Sequence, residues 1–403
     1  MNKTEYFYQL FNEKALKPAV FIFLACIAAT SVGSNGFILQ PLTLSTMLTL
    51  ENGQIDELRA SVLVSIEIIA VALTMFWFNK RLALYSPRTL GTIGAAIIIT
   101  GNVIAMLANE YHLIAASRVI AGIGAGIVLA LGNTIVARTR NPERVFGFVI
   151  AGTSLYESII LFGTPLAIHS SGRQGFYLLL VIVVALFALV MRGFRREPLG
   201  MLKQEFESEP LQNRKQGITG TAAVFVIFIM LGCGWVFAEQ LGVRSGLNIV
   251  KIGIIFSIGT FLGFLAGLLA GFLGNRYGRT LPVTIGILSP TISCLCIAYF
   301  PSENVYQASM LIFIFTYYFF LPYILGTMAA LDRRGRWAVI ASGLHLLGAA
   351  ISPILGGLIV VKSGYITLAW AVFSVCMVSL AVLLTVVRFI QKKENEAIYL
   401  NAS

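Results

Sequence analysis

Charge is scarce in this chain. Asp, Glu, Lys and Arg together make up 12% of its 403 residues, where a soluble domain carries roughly a quarter. A surface that poor in charge cannot be solvated, which excludes an ordinary soluble globular protein. Histidine and cysteine are scarce too, at three and five residues. Cys26, Cys233, Cys294, Cys296 and Cys376 all fall inside apolar stretches. Cys294 and Cys296, two apart, face away from each other on a helix. Such placement suits neither a disulfide framework nor a metal site, and the thiols read as small packing groups. The G-x-x-x-x-G-K-[ST] loop is missing, so nucleotide hydrolysis through that device is excluded. With no His/Asp/Cys catalytic grouping and no large polar domain, the chain does not read as an enzyme, and no cofactor is indicated.

Long apolar runs are what the chain has instead. Apolar residues make up 57% of it. Uncharged runs cover 18–50, 89–109, 216–238, 252–275, 280–302, 304–331, 337–361 and 363–387, and the spans 60–79, 111–137, 145–172 and 174–191 hold at most one charge each. A helix needs about 20 residues to cross a bilayer, so twelve crossings are expected. Lipid offers backbone amides no partners, which leaves helices or a closed barrel. Runs this long and apolar predict helices and an all-α membrane protein. The first run, 33 residues long, exceeds a signal-peptide core and reads as a retained span.

The net charge of +11 is a topology signal. If the N-terminus is inside, 23 of the 29 Lys and Arg residues fall in cytoplasmic stretches and five in outer loops. Cytoplasmic loops of membrane proteins carry this excess, so both termini are expected in the cytoplasm of a cell that places the protein in its inner or plasma membrane. No nucleic-acid partner is needed to explain the basic balance. The longest polar stretch, 192–216, divides the spans six and six. It predicts an N-terminal six-helix bundle (1–191), a cytoplasmic linker (192–216) and a C-terminal six-helix bundle with a short cytoplasmic tail (217–403). Transporters built from repeats have this plan.

Three motifs follow. At the junction of the eighth and ninth spans stand Gly271, Leu273, Gly274, Asn275, Arg276, Gly278 and Arg279. In the fourth span stand Arg118, Gly122, Gly124 and Gly126, and in the eleventh Gly348, Ser352, Pro353, Gly356 and Gly357. At these residues the chain resembles the major facilitator superfamily. The first stretch is similar to its loop signature G-x-L-[AG]-D-R-x-G-R-[RK], with Asn275 in place of Asp. The second is similar to R-x-x-x-G-x-G-x-G, and the third to G-x-x-x-G-P-x-x-G-G, with Ser352 in place of one Gly. The first-half loop, Asn79 to Arg88, is a degenerate copy of the signature. The resemblance implies the twelve-helix major facilitator fold, and a gating role for Gly271, Asn275, Arg276, Gly278 and Arg279. It also implies a central cavity walled by the first, fourth, seventh and tenth spans. Polar and aromatic residues on those spans are Ser34, Asn35 and Gln40; Arg118 and Asn133; Trp235 and Gln240; and Tyr317, Tyr318 and Tyr323. This mix suits an amphiphilic organic solute. For the three glycines of the fourth span, close helix approach is the larger part of the explanation.

Charges inside a membrane are costly and mark function or pairing. Glu67 and Arg118 each lie about 12 Å inward from the nearest outer charge by helix rise, so they can pair. Glu157 lies about 20 Å in, near mid-membrane, and Glu239 about 33 Å along, near the outer surface. Proton coupling is expected at Glu157 first, with Glu67, Glu239 and Arg118 as further candidates. His345 lies well inside the eleventh span, whereas His112 and His169 fall at outer ends. The expected function is secondary active transport of a small organic solute by alternating access, coupled to protons, by a monomer in the lipid bilayer. The alternatives are an uncoupled facilitator, a lipid translocator or a transporter-like receptor.

Overall fold

The computed structural model describes residues 13–50, 55–79, 82–137, 142–198, 212–273, 278–332 and 336–402. Among them every regular element is helical. In chain order these are α1 (Glu13–Ile38), α2 (Gln40–Leu48), α3 (Glu57–Asn79), α4 (Pro87–Leu107), α5 (Tyr111–Ala137) and α6 (Pro142–Met191). The second half holds α7 (Arg214–Val236), α8 (Ala238–Arg244), α9 (Ile249–Leu273), α10 (Thr280–Tyr299), α11 (Glu303–Ala329) and α12 (Arg336–Ala402).

Ten helical stretches among the described residues are long and apolar enough to cross a membrane, and two of them are 44 and 54 residues long. Straight rods of that length would span about 66 and 81 Å, two to three times the bilayer core. Both are broken instead. α6 turns at Ser171 and Gly172 (φ +56°) and α12 at Gly364 (φ +78°). After the first turn the chain folds back on itself, so that a Cβ on Gly163 would touch Leu179 and one on Gly175 would overlap Ala167. Among the described residues twelve crossings result, in two bundles of six. The breaks at 171–172 and 364 fall at or beside the boundaries expected between the runs 145–172 and 174–191, and 337–361 and 363–387.

Lipid tails are as apolar as leucine, so helices associate here by close packing rather than by escape from water. The fourth-span glycines serve this end. A Cβ on Gly124 would lie 2.5 Å from Gly94 O of α4, one on Gly126 2.7 Å from Val71 O of α3, and one on Gly122 would overlap Glu67 O. In the other half Gly286 of α10 and Gly263 of α9 accept the rings of Phe320 and Tyr318 from α11.

Two crossings are interrupted at matching places. Leu39 (φ −90°, ψ 8°) separates α1 from α2, and Phe237 (φ −94°, ψ 9°) separates α7 from α8. Pro41 lacks the amide that would continue the first helix, whereas no proline stands at the second break.

The halves meet along a seam at the end remote from the polar linker. Gln40 Nε2 donates to Ala349 O at 2.9 Å. Ser158 Oγ donates to Ser257 O at 2.9 Å, and the two hydroxyls are 3.1 Å apart. A Cβ on Gly357 would lie 2.7 Å from Ser61 Oγ. At the linker end a cavity of about 780 Å³ separates the halves, lined by Phe76, Asn133 and Thr134 from one and Ile340, Ser342 and His345 from the other. There the second half is tied to its own approach segment: Trp337 Nε1 donates to Gln212 O at 2.8 Å and Asn213 Nδ2 to Leu331 O at 2.7 Å.

Candidate functional site

Where the wide cavity narrows, two polar centres lie between the halves, one buried and one half-buried. The first is Glu157 of α6, 7% exposed. Its Oε2 accepts a hydrogen bond from Tyr318 of α11 at 2.8 Å, and its Oε1 a long one from Ser34 of α1 at 3.5 Å. The carboxyl therefore bridges three helices from both halves. The second is His345 of α12, whose Nε2 pairs with Tyr317 OH at 2.8 Å. Phe228 lies over its ring at 4.0 Å between centroids, and Phe37 meets it edge-on at 5.7 Å.

His345 stands at a junction. It lines the wide cavity, a cavity of about 100 Å³ beside Ser34 and Phe37, and a third of about 40 Å³ bounded by Trp235, Tyr317 and Tyr318. Glu157 sits behind Ser34 and Tyr318, which belong to two of these spaces.

A separate polar centre lies inside the first half. Arg118, 1% exposed, places Nη1 3.3 Å from Glu67 Oε2, and Nη2 donates to Asn102 Oδ1 at 3.1 Å. Its guanidinium lies 4.7 Å from the centre of the Tyr177 ring. Buried ion pairs persist when further hydrogen bonds share the charge, and Asn102 Oδ1 and Gly101 O accept them from Nη2 here. A cavity of about 20 Å³ adjoins this group and Asn35, whose Oδ1 accepts from Tyr156 at 2.7 Å.

The sequence profile of the Major Facilitator Superfamily matches residues 21–331. The chain belongs to this superfamily. A curated relative from Escherichia coli (strain K12), named "Putative transporter AraJ", is 25% identical over 324 residues, which are 75% of this chain and 79% of that protein. Two crystal structures of a POT family transporter, one with a thioalcohol-conjugated peptide and one with 5-aminolevulinic acid, superpose with TM-scores of 0.70 at 15% identity. They cover 93% of this chain and 96% of theirs, and show the shared fold. The chain is thus a multi-pass membrane protein of a transporter superfamily and not an enzyme.

Against that fold the residues singled out in the sequence separate into groups. Trp235, Tyr317 and Tyr318 come together around one pocket, and Asn133 lines the wide cavity. Asn35 and Arg118 turn into the first half, and Gln40 is buried in the seam. Gln240 bonds Glu239 at 2.8 Å. Glu239 itself is 4% exposed, held at α8 near Ser45 of α2. Tyr323 packs on Phe319. Asn275 and Arg276 of the loop signature lie outside the described residues, as does most of the 192–216 linker. Gly278 has φ +69°, a value that suits glycine, and Arg279 is buried. Phe37 and Phe228 were not singled out, because a Phe in an apolar run carries no signal of its own.

Proposed function

We propose that the chain moves a small, amphiphilic organic solute by alternating access between residues 1–191 and 217–403, with Glu157 carrying a coupling proton. The observation that carries this reading is the Glu157 carboxyl held between α1, α6 and α11 beside the cavity that divides the halves. Hydrogen bonds to an ionised carboxylate are roughly twice as strong as neutral ones. Ionised Glu157 therefore grips Tyr318 and Ser34, and a proton on it loosens the link between the halves. A group so placed ties rocking motion to proton load, the coupling a secondary transporter needs.

By the distribution of basic residues the wide cavity faces the cytoplasm and the seam faces outward, in the inner or plasma membrane. The Gly271–Arg279 loop then lies on the cytoplasmic side, where it serves as a latch.

The test uses proteoliposomes with an imposed pH gradient. Glu157→Gln keeps size and hydrogen bonding but cannot release a proton. It is expected to lose gradient-driven accumulation and to keep substrate exchange. Normal accumulation by this variant would remove Glu157 from the coupling. For orientation, cysteines placed at Asn133 and Ser342 should react with an impermeant reagent from the cytoplasmic face alone.

A further inference from the structure

The pocket of about 40 Å³ beyond His345 has an unusual lining. Its walls are aromatic, with Phe37 from the first half and Phe228, Trp235, Phe313, Tyr317 and Tyr318 from the second. No Asp, Glu, Lys or Arg lines it. Yet two buried polar atoms in that lining have no hydrogen-bond partner, Trp235 Nε1 and Thr260 Oγ1. Trp235 is 8% exposed and Thr260 fully buried. The neighbouring helix shows what a threonine does when it has no other task. Thr316 and Thr327 of α11 return their hydroxyls to backbone carbonyls four residues earlier, at 2.6 and 2.7 Å. Thr260 keeps its hydroxyl unspent.

Other buried hydroxyls also lack partners, Ser65 and Thr164 among them, but Trp235 and Thr260 stand together on one pocket. Since buried donors are nearly always satisfied, this pair calls for an acceptor from outside the protein chain. An anionic acceptor is unsuitable, because no Lys or Arg lines the pocket, His345 Nε2 is already paired with Tyr317 OH, and an unpaired charge is costly to bury. An ammonium group brings no acceptor for the indole. What fits is an uncharged acceptor on a flat apolar body. At its present size the pocket takes only the end of such a molecule, and the larger cavity on the other side of His345 takes the remainder.

Resting on the reading of these cavities as the solute path, we infer that the transported molecule enters the pocket with a neutral, acceptor-bearing apolar end, such as an aryl ketone, ester or amide. Trp235 and Thr260 read the acceptor. The aromatic walls read the ring.

The experiment measures binding rather than transport, so it does not depend on coupling. The full chain in nanodiscs is titrated with four matched probes, acetophenone, ethylbenzene, benzoate and benzylamine, by ligand-observed NMR, with empty nanodiscs subtracted. Acetophenone should bind at least about fivefold tighter than ethylbenzene, the worth of one neutral hydrogen bond, and tighter than both charged probes. Trp235→Phe and Thr260→Val should each lower acetophenone affinity about fivefold and leave ethylbenzene within twofold. Equal binding of acetophenone and ethylbenzene by the unaltered protein would mean that water satisfies the donors, and would overturn the proposal. So would tightest binding of a charged probe, or variants without effect on acetophenone. The unaltered-protein series decides the matter even if a variant misfolds. If the acceptor preference holds while gradient-driven uptake proves independent of Glu157, only the coupling falls. If coupling holds and the preference is absent, only this inference falls.

Discussion

Arg118 and Glu67 form a cation–carboxylate pair shut inside the first half, at 1% and 12% side-chain exposure. Removing one partner of such a pair leaves the other buried and uncompensated, at about 3–5 kcal/mol. Arg118→Met and Glu67→Leu are each expected to lower the melting temperature of the purified protein sharply. The double variant should recover a large share, since it buries no lone charge. Single variants that melt like the parent would show that the pair contributes nothing to stability. The depth arithmetic that matched these two residues needed only helix rise and the position of flanking charges, so this pair was legible in the sequence. Its other partners were not. Asn102 and the Tyr177 face reach Arg118 through the packing of α4 and α6, and nothing local in either run marks them.

At the scale of the elements, glycines divide by what faces them. A Cβ on Gly122 would strike α3 at Glu67 O, whereas nothing lies within 4 Å of one on Gly326 in α11. Gly122→Ala should therefore push α5 from α3 and destabilise by about 1–3 kcal/mol, weakening the ion pair beside it. Gly326→Ala should be neutral or stabilise by up to about 1 kcal/mol, because alanine loses less backbone freedom in a helix. Thermal melts of the two variants side by side check the contrast. The breaks in the first and seventh crossings differ in how visible they were. Pro41 marks one. The other has no breaker at 237–238, and Phe237 there is fully buried against Gly356 and Tyr365 of α12. Tertiary packing rather than local propensity accompanies that interruption.

For the whole molecule, the seam and the cavity lie at opposite ends of the interface between the halves. If the halves rock, the seam must open in each cycle. With the native cysteines replaced, Ser158→Cys and Ser257→Cys should form a disulfide on mild oxidation, because their hydroxyls stand 3.1 Å apart and a short side-chain separation is what the bond requires. Oxidation should then stop solute flux in proteoliposomes and a reducing agent should restore it. Undiminished flux through the oxidised protein would mean that this contact does not part during transport.

The sequence by itself determined the number of crossings, the two halves and the superfamily. Each of these is written in contiguous residues: runs long enough to span lipid, charges between them, and motifs within a single helix or loop. It also singled out Glu157, since one acid in the middle of an apolar run is conspicuous wherever the run lies. Only the tertiary structure decided what surrounds that acid. Tyr318 is 161 residues away and Ser34 is 123. The same holds for His345, a lone histidine in an apolar span until Tyr317 and Phe228 close on it, and for the unspent donors of Trp235 and Thr260. A hydrogen bond that is absent can be recognised only once every neighbour in space is known. Lipid makes the walls of such a site look like any other apolar helix surface, and only packing separates the face toward the cavity from the face toward the membrane.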